Sequence, residues 1–203
     1  MPRRVQKRRS TEVRRRQIAD AARTVAVKYG SEHITVRRIA KETGISEGAL
    51  YRHFKSKRDI LALMLDRIEE DLVADIEKGS ATGGTPLQIL ESSLRNHVSA
   101  IQQRRGVSFQ VIAEVISFGD KRLSRRASQA LDEYAGRIQD ILEDSLKSGE
   151  TNTDLDPEKA AALIVAALQG LVSRWALSDY GFDLEQEYES VWRLLRDSIT
   201  RHR

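Results

Sequence analysis

Residues Thr35 to Phe54 read TVRRIAKETGISEGALYRHF. The stretch predicts two short helices joined by a tight turn. Thr35 can cap the first, Val36 to Thr43, and Ser46 can cap the second, which ends near Phe54. Helices that cross steeply at close range need a small residue at the crossing, and Ala40 supplies it. The turn needs a residue that tolerates positive φ, and Gly44 does. Ile39, Ile45 and Leu50 are the apolar anchors. Glu47, Gly48, Tyr51 and Arg52 then face outward on the second helix. Such a helix can enter the major groove of DNA with its N-terminal end toward the base edges. The same spacing also fits a plain helical hairpin.

The flanks read as helix too. Upstream, Ile18, Ala21, Ala22 and Val25 give the i, i+3, i+4, i+7 stripe of a helix from Thr11 to Tyr29, closed by Gly30. Residues 1–10 form a basic arm without periodicity. Downstream, Ser56 with Asp59 opens a helix, and Gly79 to Gly84 forms a loop. Further helix starts are Thr85-Pro86, Ser108, Asp120, Asp156-Pro157 and Asp183 with Gln186. The fold class is all-α, with about nine helices. The expected division is an arm over 1–10, a helix-turn-helix head over 11–58 and a helical body over 59–203.

Composition narrows the chemistry. The 203 residues include no cysteine, which excludes disulfide staples, thiolate catalysis and Cys-ligated metal. The patterns HExxH, GxxxxGK[ST], GxSxG and GxGxxG are missing, and His33, His53, His97 and His202 lack ligand spacing. No catalytic residue, cofactor or metal is expected. The longest apolar run, Ala160 to Leu168, is far short of the ~20 residues of a spanning helix, and no secretory signal is visible. These features predict a cytoplasmic protein with no membrane partner.

The net charge of +4 conceals an asymmetry. Residues 1–58 carry 17 Lys+Arg against 5 Asp+Glu, and the remainder carries 17 against 25. The head is therefore +12 and the body −8. Such a head attracts a polyanion through counterion release, or it is a solvated basic face.

At this density of matching positions the sequence resembles the TetR (tetracycline-repressor) family of transcriptional regulators. The resemblance rests on Ile18, Ala21, Ala22 and Gly30, then Thr35, Ile39, Ala40, Gly44, Ile45, Ser46, Gly48, Leu50, Tyr51, His53, Phe54, Lys57 and Leu61. The run GISEGALYRHFKSK is close to the family signature. Ala26 departs from it where a large aromatic is usual, and Arg58 where an acid is common. The resemblance implies that Thr35, Ser46 and Lys57 take DNA phosphates, and that Tyr51 and His53 reach phosphates or base edges. Base reading then falls to Arg37, Glu47, Gly48, Ala49 and Arg52, with Glu47 either accepting from a cytosine amine or stabilising its own helix. Arg3, Arg4, Lys7, Arg8 and Arg9 either enter a minor groove or form a solvated tail.

The family also implies a bacterial or archaeal homodimer on a two-fold operator in double-stranded DNA. The helix KAAALIVAALQGLVSRWAL is apolar almost all round, so it is buried on more than one side. Val165, Leu168 and Val172 with Val191, Trp192, Leu195 and Ile199 are the expected dimer face. A pocket for a small hydrophobic effector of unknown identity would draw on Leu94, His97, Phe109, Ile112, Ile116, Phe118, Gln169 and Trp175. His97 is either a hydrogen-bonded core residue or a ligand contact, and Gln169 is a second polar candidate of the same kind. Effector binding would release a repressor from its operator. The alternative is a DNA-bound recruiter of the same fold that senses no small molecule.

Overall fold

Side-chain caps and prolines set most of the helix starts. In the computed structural model, residues 2–52 and 54–200 are described, with side chains from residue 13 onward. Nine helices occur among them: α1 (Pro2–Tyr29), α2 (Val36–Thr43), α3 (Glu47–Tyr51), α4 (Lys57–Ser80), α5 (Pro86–Gln103), α6 (Val107–Phe118), α7 (Lys121–Lys147), α8 (Pro157–Leu177) and α9 (Leu184–Ile199). The described residues contain no strand, only an isolated bridge between Thr151 and Thr200. The all-α expectation therefore holds.

Three boundaries differ from expectation. The first helix begins at Pro2, not Thr11. Proline suits a first helical position, and the Arg, Lys, Gln and Glu that follow are good helix formers. The helix α3 stops at Tyr51, short of Phe54. The helix α4 continues through Gly79 to Ser80, because Gly79 there serves packing and not a turn.

By internal packing the chain forms two units. The first comprises Met1–Ile68 and Gln110–Ala127, the second Glu69–Phe109 and Ser128–Arg203. Three helices, α4, α6 and α7, carry residues of both.

The first unit buries Ile18, Ala22, Val25, Ile34, Ile39, Leu50, Phe54, Ile60, Leu61 and Leu65. Val111, Val115 and Leu123 are also buried in it. Each such aliphatic side chain contributes about 1.5–3 kcal/mol relative to exposure. Lys28 Nζ lies 2.9 Å from Glu42 Oε1 and ties α1 to α2. Asp66 pairs with both Arg15 (3.7 Å) and Arg126.

The second unit buries Leu90, Leu94 and Val98 of α5, Tyr134, Ile138 and Leu142 of α7, and Ile164, Leu168, Val172 and Trp175 of α8. Leu184, Tyr188, Trp192 and Ile199 of α9 are buried as well. Gln102 Oε1 accepts from the backbone N–H groups of Leu184 (2.7 Å) and Glu185 (3.1 Å), closing the start of α9 from outside that helix. Trp175 donates its indole N–H to the Phe182 carbonyl at 2.8 Å.

By length and composition α8 is the one helix among the described residues that could cross a membrane. Gln169, Gly170 and Ser173 interrupt its apolar run after Leu168, and a helix packed in a protein core has the same length and composition. One face of α8, including Ala161, Ile164, Leu168 and Val172, is packed in the second unit.

Candidate nucleic-acid interface

The α2–α3 pair is built on two matched caps. Thr35 Oγ1 accepts from Arg38 N at 3.3 Å, and Ser46 Oγ accepts from Ala49 N at 3.3 Å. Each oxygen is occupied as an acceptor, while each hydroxyl hydrogen is still able to donate to an anion. Between them Gly44 adopts φ 67, ψ 17 and donates its N–H to the Ala40 carbonyl. Nothing lies within 4 Å of a Cβ built there, so backbone strain alone disfavours a side chain. Gly44→Ala is expected to lower unfolding stability by about 1–2 kcal/mol. Chemical denaturation checks this, and Gly44→Asn should lose less.

The packed side of the pair uses Val36, Ile39, Ala40 and Leu50. The opposite side is open. Tyr51 is 51% exposed, and Thr35, Arg37, Ser46, Glu47, Gly48 and Arg52 are all exposed. Ala49 is half-buried. The Arg37 Nε–Glu47 Oε1 separation is 4.0 Å on the surface, too loose and too wet to fix either side chain. Arg38 stacks its guanidinium 4.7 Å from the Tyr29 ring centroid. His53 lies outside the described residues.

The start of α4 adds cations. Asp59 Oδ2 accepts from Lys55 N (2.8 Å) and Ser56 N (3.2 Å), which fixes the entry to the helix. Lys57 Nζ lies 2.7 Å from Glu114 Oε1 on α6 and 3.4 Å from the Glu32 carbonyl. Arg58 Nε lies 3.0 Å from Asp120 Oδ2. Asp120 also caps α7, accepting from Arg122 N (2.8 Å) and Leu123 N (3.2 Å) at Oδ1. The Leu123 and Arg122 N–H groups, with Arg58, hold its carboxyl below the usual range. Neither carboxylate partner was identified from sequence, although the cap role of Asp120 was.

The expected effector residues fall in different units. Ile112, Ile116 and Phe118 belong to the first, and Ile116 is 70% and Phe118 44% exposed. Leu94, His97, Phe109, Gln169 and Trp175 belong to the second. Leu94 and Trp175 are buried, while Phe109 and Gln169 are half-buried. His97 Nδ1 lies 3.0 Å from Asp75 Oδ2, and its ring tilts against Tyr134 at a centroid distance of 5.2 Å. Burial pushes the Tyr134 phenol upward in pKa, with the Asp75 charge adding to it.

Of the residues expected at a dimer face, Leu168, Val172, Trp192 and Ile199 are buried within the chain's own second unit. Val165, Val191 and Leu195 are half-buried. The outward apolar residues are Leu163 and Leu177 of α8 and Leu194 of α9. An open groove of about 330 Å³ lies between the α8 start and the α9 end, with Leu163, Ile164, Leu195 and Ile199 in its wall.

Comparison with known proteins bears on both halves. Residues 18–64 match the model for bacterial regulatory proteins of the tetR family, and residues 64–198 match that for the YsiA-like protein C-terminal region. The nucleoid occlusion factor SlmA of Actinobacillus pleuropneumoniae is 28% identical over 167 residues, 82% of each chain. The fatty acid metabolism regulator protein of Bacillus subtilis is 28% identical over 191 residues, 90% of this chain and 94% of that one. The crystal structure of FadR from Bacillus subtilis in complex with stearoyl-CoA superposes with a TM-score of 0.75 at 27% identity, covering 88% and 96%. Together with the helix-turn-helix geometry, these matches show that the chain belongs to the tetR family of bacterial regulatory proteins, which are DNA-binding transcription regulators.

Proposed function

We propose that this protein is a homodimeric repressor that leaves its operator when the body takes up a hydrophobic effector. The observation that carries the reading is the open face of α2 and α3. It presents Arg37, Glu47, Gly48 and Arg52, with half-buried Ala49, to base edges, and Thr35, Ser46 and Tyr51 to phosphates; Lys57 at the start of α4 and His53, the latter by its place in the sequence only, complete the proposed phosphate set. The head over 11–58 reads DNA, the body over 59–203 senses and dimerises, and the protein acts in the cytoplasm.

A two-fold pair of such heads reads half-sites about one helical turn apart. The exposed Leu163, Leu177 and Leu194 support dimerisation through α8 and α9. Val165, Val191 and Leu195 flank that face, while the neighbouring buried residues stiffen it from behind. Gly170, with nothing within 4 Å of a built Cβ, leaves room for a partner helix.

The effector we favour is a long-chain acyl thioester of coenzyme A. The relative named as a fatty acid metabolism regulator and the related structure holding stearoyl-CoA support that class. Apolar side chains of the second unit, Leu94, Phe109 and Trp175, suit an acyl chain, with His97 and Gln169 as polar anchors. The test is binding to a duplex recovered from random DNA by selection, with and without stearoyl-CoA. The expected result is about hundredfold weaker binding with the thioester, equivalent to roughly 3 kcal/mol of coupling, and a raised Tm of the free protein. Unchanged DNA affinity across the solubility range of stearoyl-CoA rejects this effector.

The similarity to a nucleoid occlusion factor favours a second reading, a DNA-bound recruiter. The exposed Ile116 and Phe118 of α6 are apolar contacts a protein partner could use. Under that reading no small apolar ligand changes DNA affinity or Tm.

A further inference from the structure

The helix α6 reads VSFQVIAEVISF and carries a single charged residue, Glu114. That charge is spent on Lys57, the first residue of α4, at 2.7 Å. The Lys57 side chain is 28% exposed and the Glu114 side chain 16%. The contact is therefore less screened than a surface pair. Asp120, just beyond α6, does the same to Arg58 with its second oxygen while the first caps α7. All four residues lie in the first unit, together with α2 and α3.

A lysine held by a carboxylate is a poor phosphate anchor. Its charge is already neutralised, so a phosphate that approaches it releases little additional counterion. To form a full contact the phosphate has to displace Glu114 or share the ammonium with a second anion beside it. The same argument holds for Arg58 and Asp120. A helix that needed only an apolar packing face would have no use for a lone acid aimed at this position.

We propose that Glu114 and Asp120 are affinity-setting residues of the DNA interface, internal competitors that hold Lys57 and Arg58 away from operator phosphates. The proposal rests on the DNA-binding reading of Lys57 given above. It makes operator strength a property of α6 and its corner as well as of the recognition helix. Any event that draws Glu114 away from Lys57 strengthens binding, and any event that tightens the pair weakens it.

Full-length Glu114→Gln and Asp120→Asn variants test this on a duplex recovered by selection. Glutamine keeps the length of Glu114 and asparagine keeps the cap at Asp120, so each variant mainly removes charge. Glu114→Gln should bind about fivefold more tightly at 0.15 M salt, with the slope of log K against log[salt] steeper by about 0.9. Asp120→Asn should act in the same direction. In a Lys57→Met background, Glu114→Gln should change neither quantity, because its target is gone. An unchanged slope in Glu114→Gln overturns the proposal, and so does an equal gain with Lys57→Met, which would mark a general charge effect. If Glu114→Gln melts below the assay temperature, Asp120→Asn decides by the same criterion with Arg58→Met as its background. Wild-type protein that binds no duplex refutes the DNA-binding reading; wild-type binding with a silent Glu114→Gln refutes only the competition.

Discussion

If the chain dimerises through α8 and α9 as proposed, Leu163→Glu combined with Leu194→Glu is expected to give a folded monomer and to weaken operator binding about a thousandfold. Both side chains are largely exposed in the single chain, 57% and 73%, so the fold does not depend on them. Across a two-fold interface each substitution occurs twice, and four carboxylates would meet in an apolar seam. The loss on DNA follows from linkage of half-sites. A dimer binds its second half-site at high effective concentration, an advantage of roughly 10²–10⁴. Sedimentation gives the mass, circular dichroism the helicity, and anisotropy the DNA affinity. A dimer of unchanged stability with unchanged DNA affinity rejects α8 and α9 as the seam. Gly170→Ala discriminates further. Alanine should steady an unpartnered helix by up to about 1 kcal/mol, yet weaken dimerisation if a partner helix approaches there.

Gly79→Ala is expected to cost about 3 kcal/mol, at the upper end of the range for overpacking. Gly79 lies in the last turn of α4, against Ser93 of α5. A Cβ on it would stand 2.6 Å from both Cα and N of Ser93, atoms that cannot turn aside. Ser93 is itself fully buried, with its hydroxyl 3.3 Å from the Ile76 carbonyl. The contrast is Gly136→Ala in α7. Nothing lies within 4 Å of its built Cβ, so the change should stabilise by about 0.5–1 kcal/mol through helix propensity. Equilibrium unfolding in urea separates the two, and equal signs would refute the packing argument.

What the sequence made legible was local. Caps act over three residues, so Thr35, Ser46, Asp156 and Asp183 announced α2, α3, α8 and α9. The αL turn at Gly44 was readable for the same reason. Pairings between distant segments were not. Nothing near His97 names Asp75, which reaches it from α4, and nothing near Lys57 names Glu114. The apolar helix α8 also hid its orientation. When nearly every position is apolar, periodicity does not separate the inward side from the outward one. Leu168 and Val172, expected at a dimer face, are buried within the second unit, while the exposed Leu163 is not among the expected residues. Ile116 and Phe118, expected as pocket lining, are exposed, and hydrophobicity alone does not distinguish a wall from an exposed face.

The unit that carries α2 and α3 is interrupted in sequence. Gln110–Ala127 completes it, and Glu69–Phe109 is spent elsewhere in between. On a ribosome the N-terminal helices emerge well before Val111, Val115 and Leu123 are made. The nascent head thus waits with part of its apolar surface uncovered, and closing it requires a long loop. DNA-binding competence is therefore expected to mature only when α6 arrives, and chaperone contact should concentrate on the interval before it.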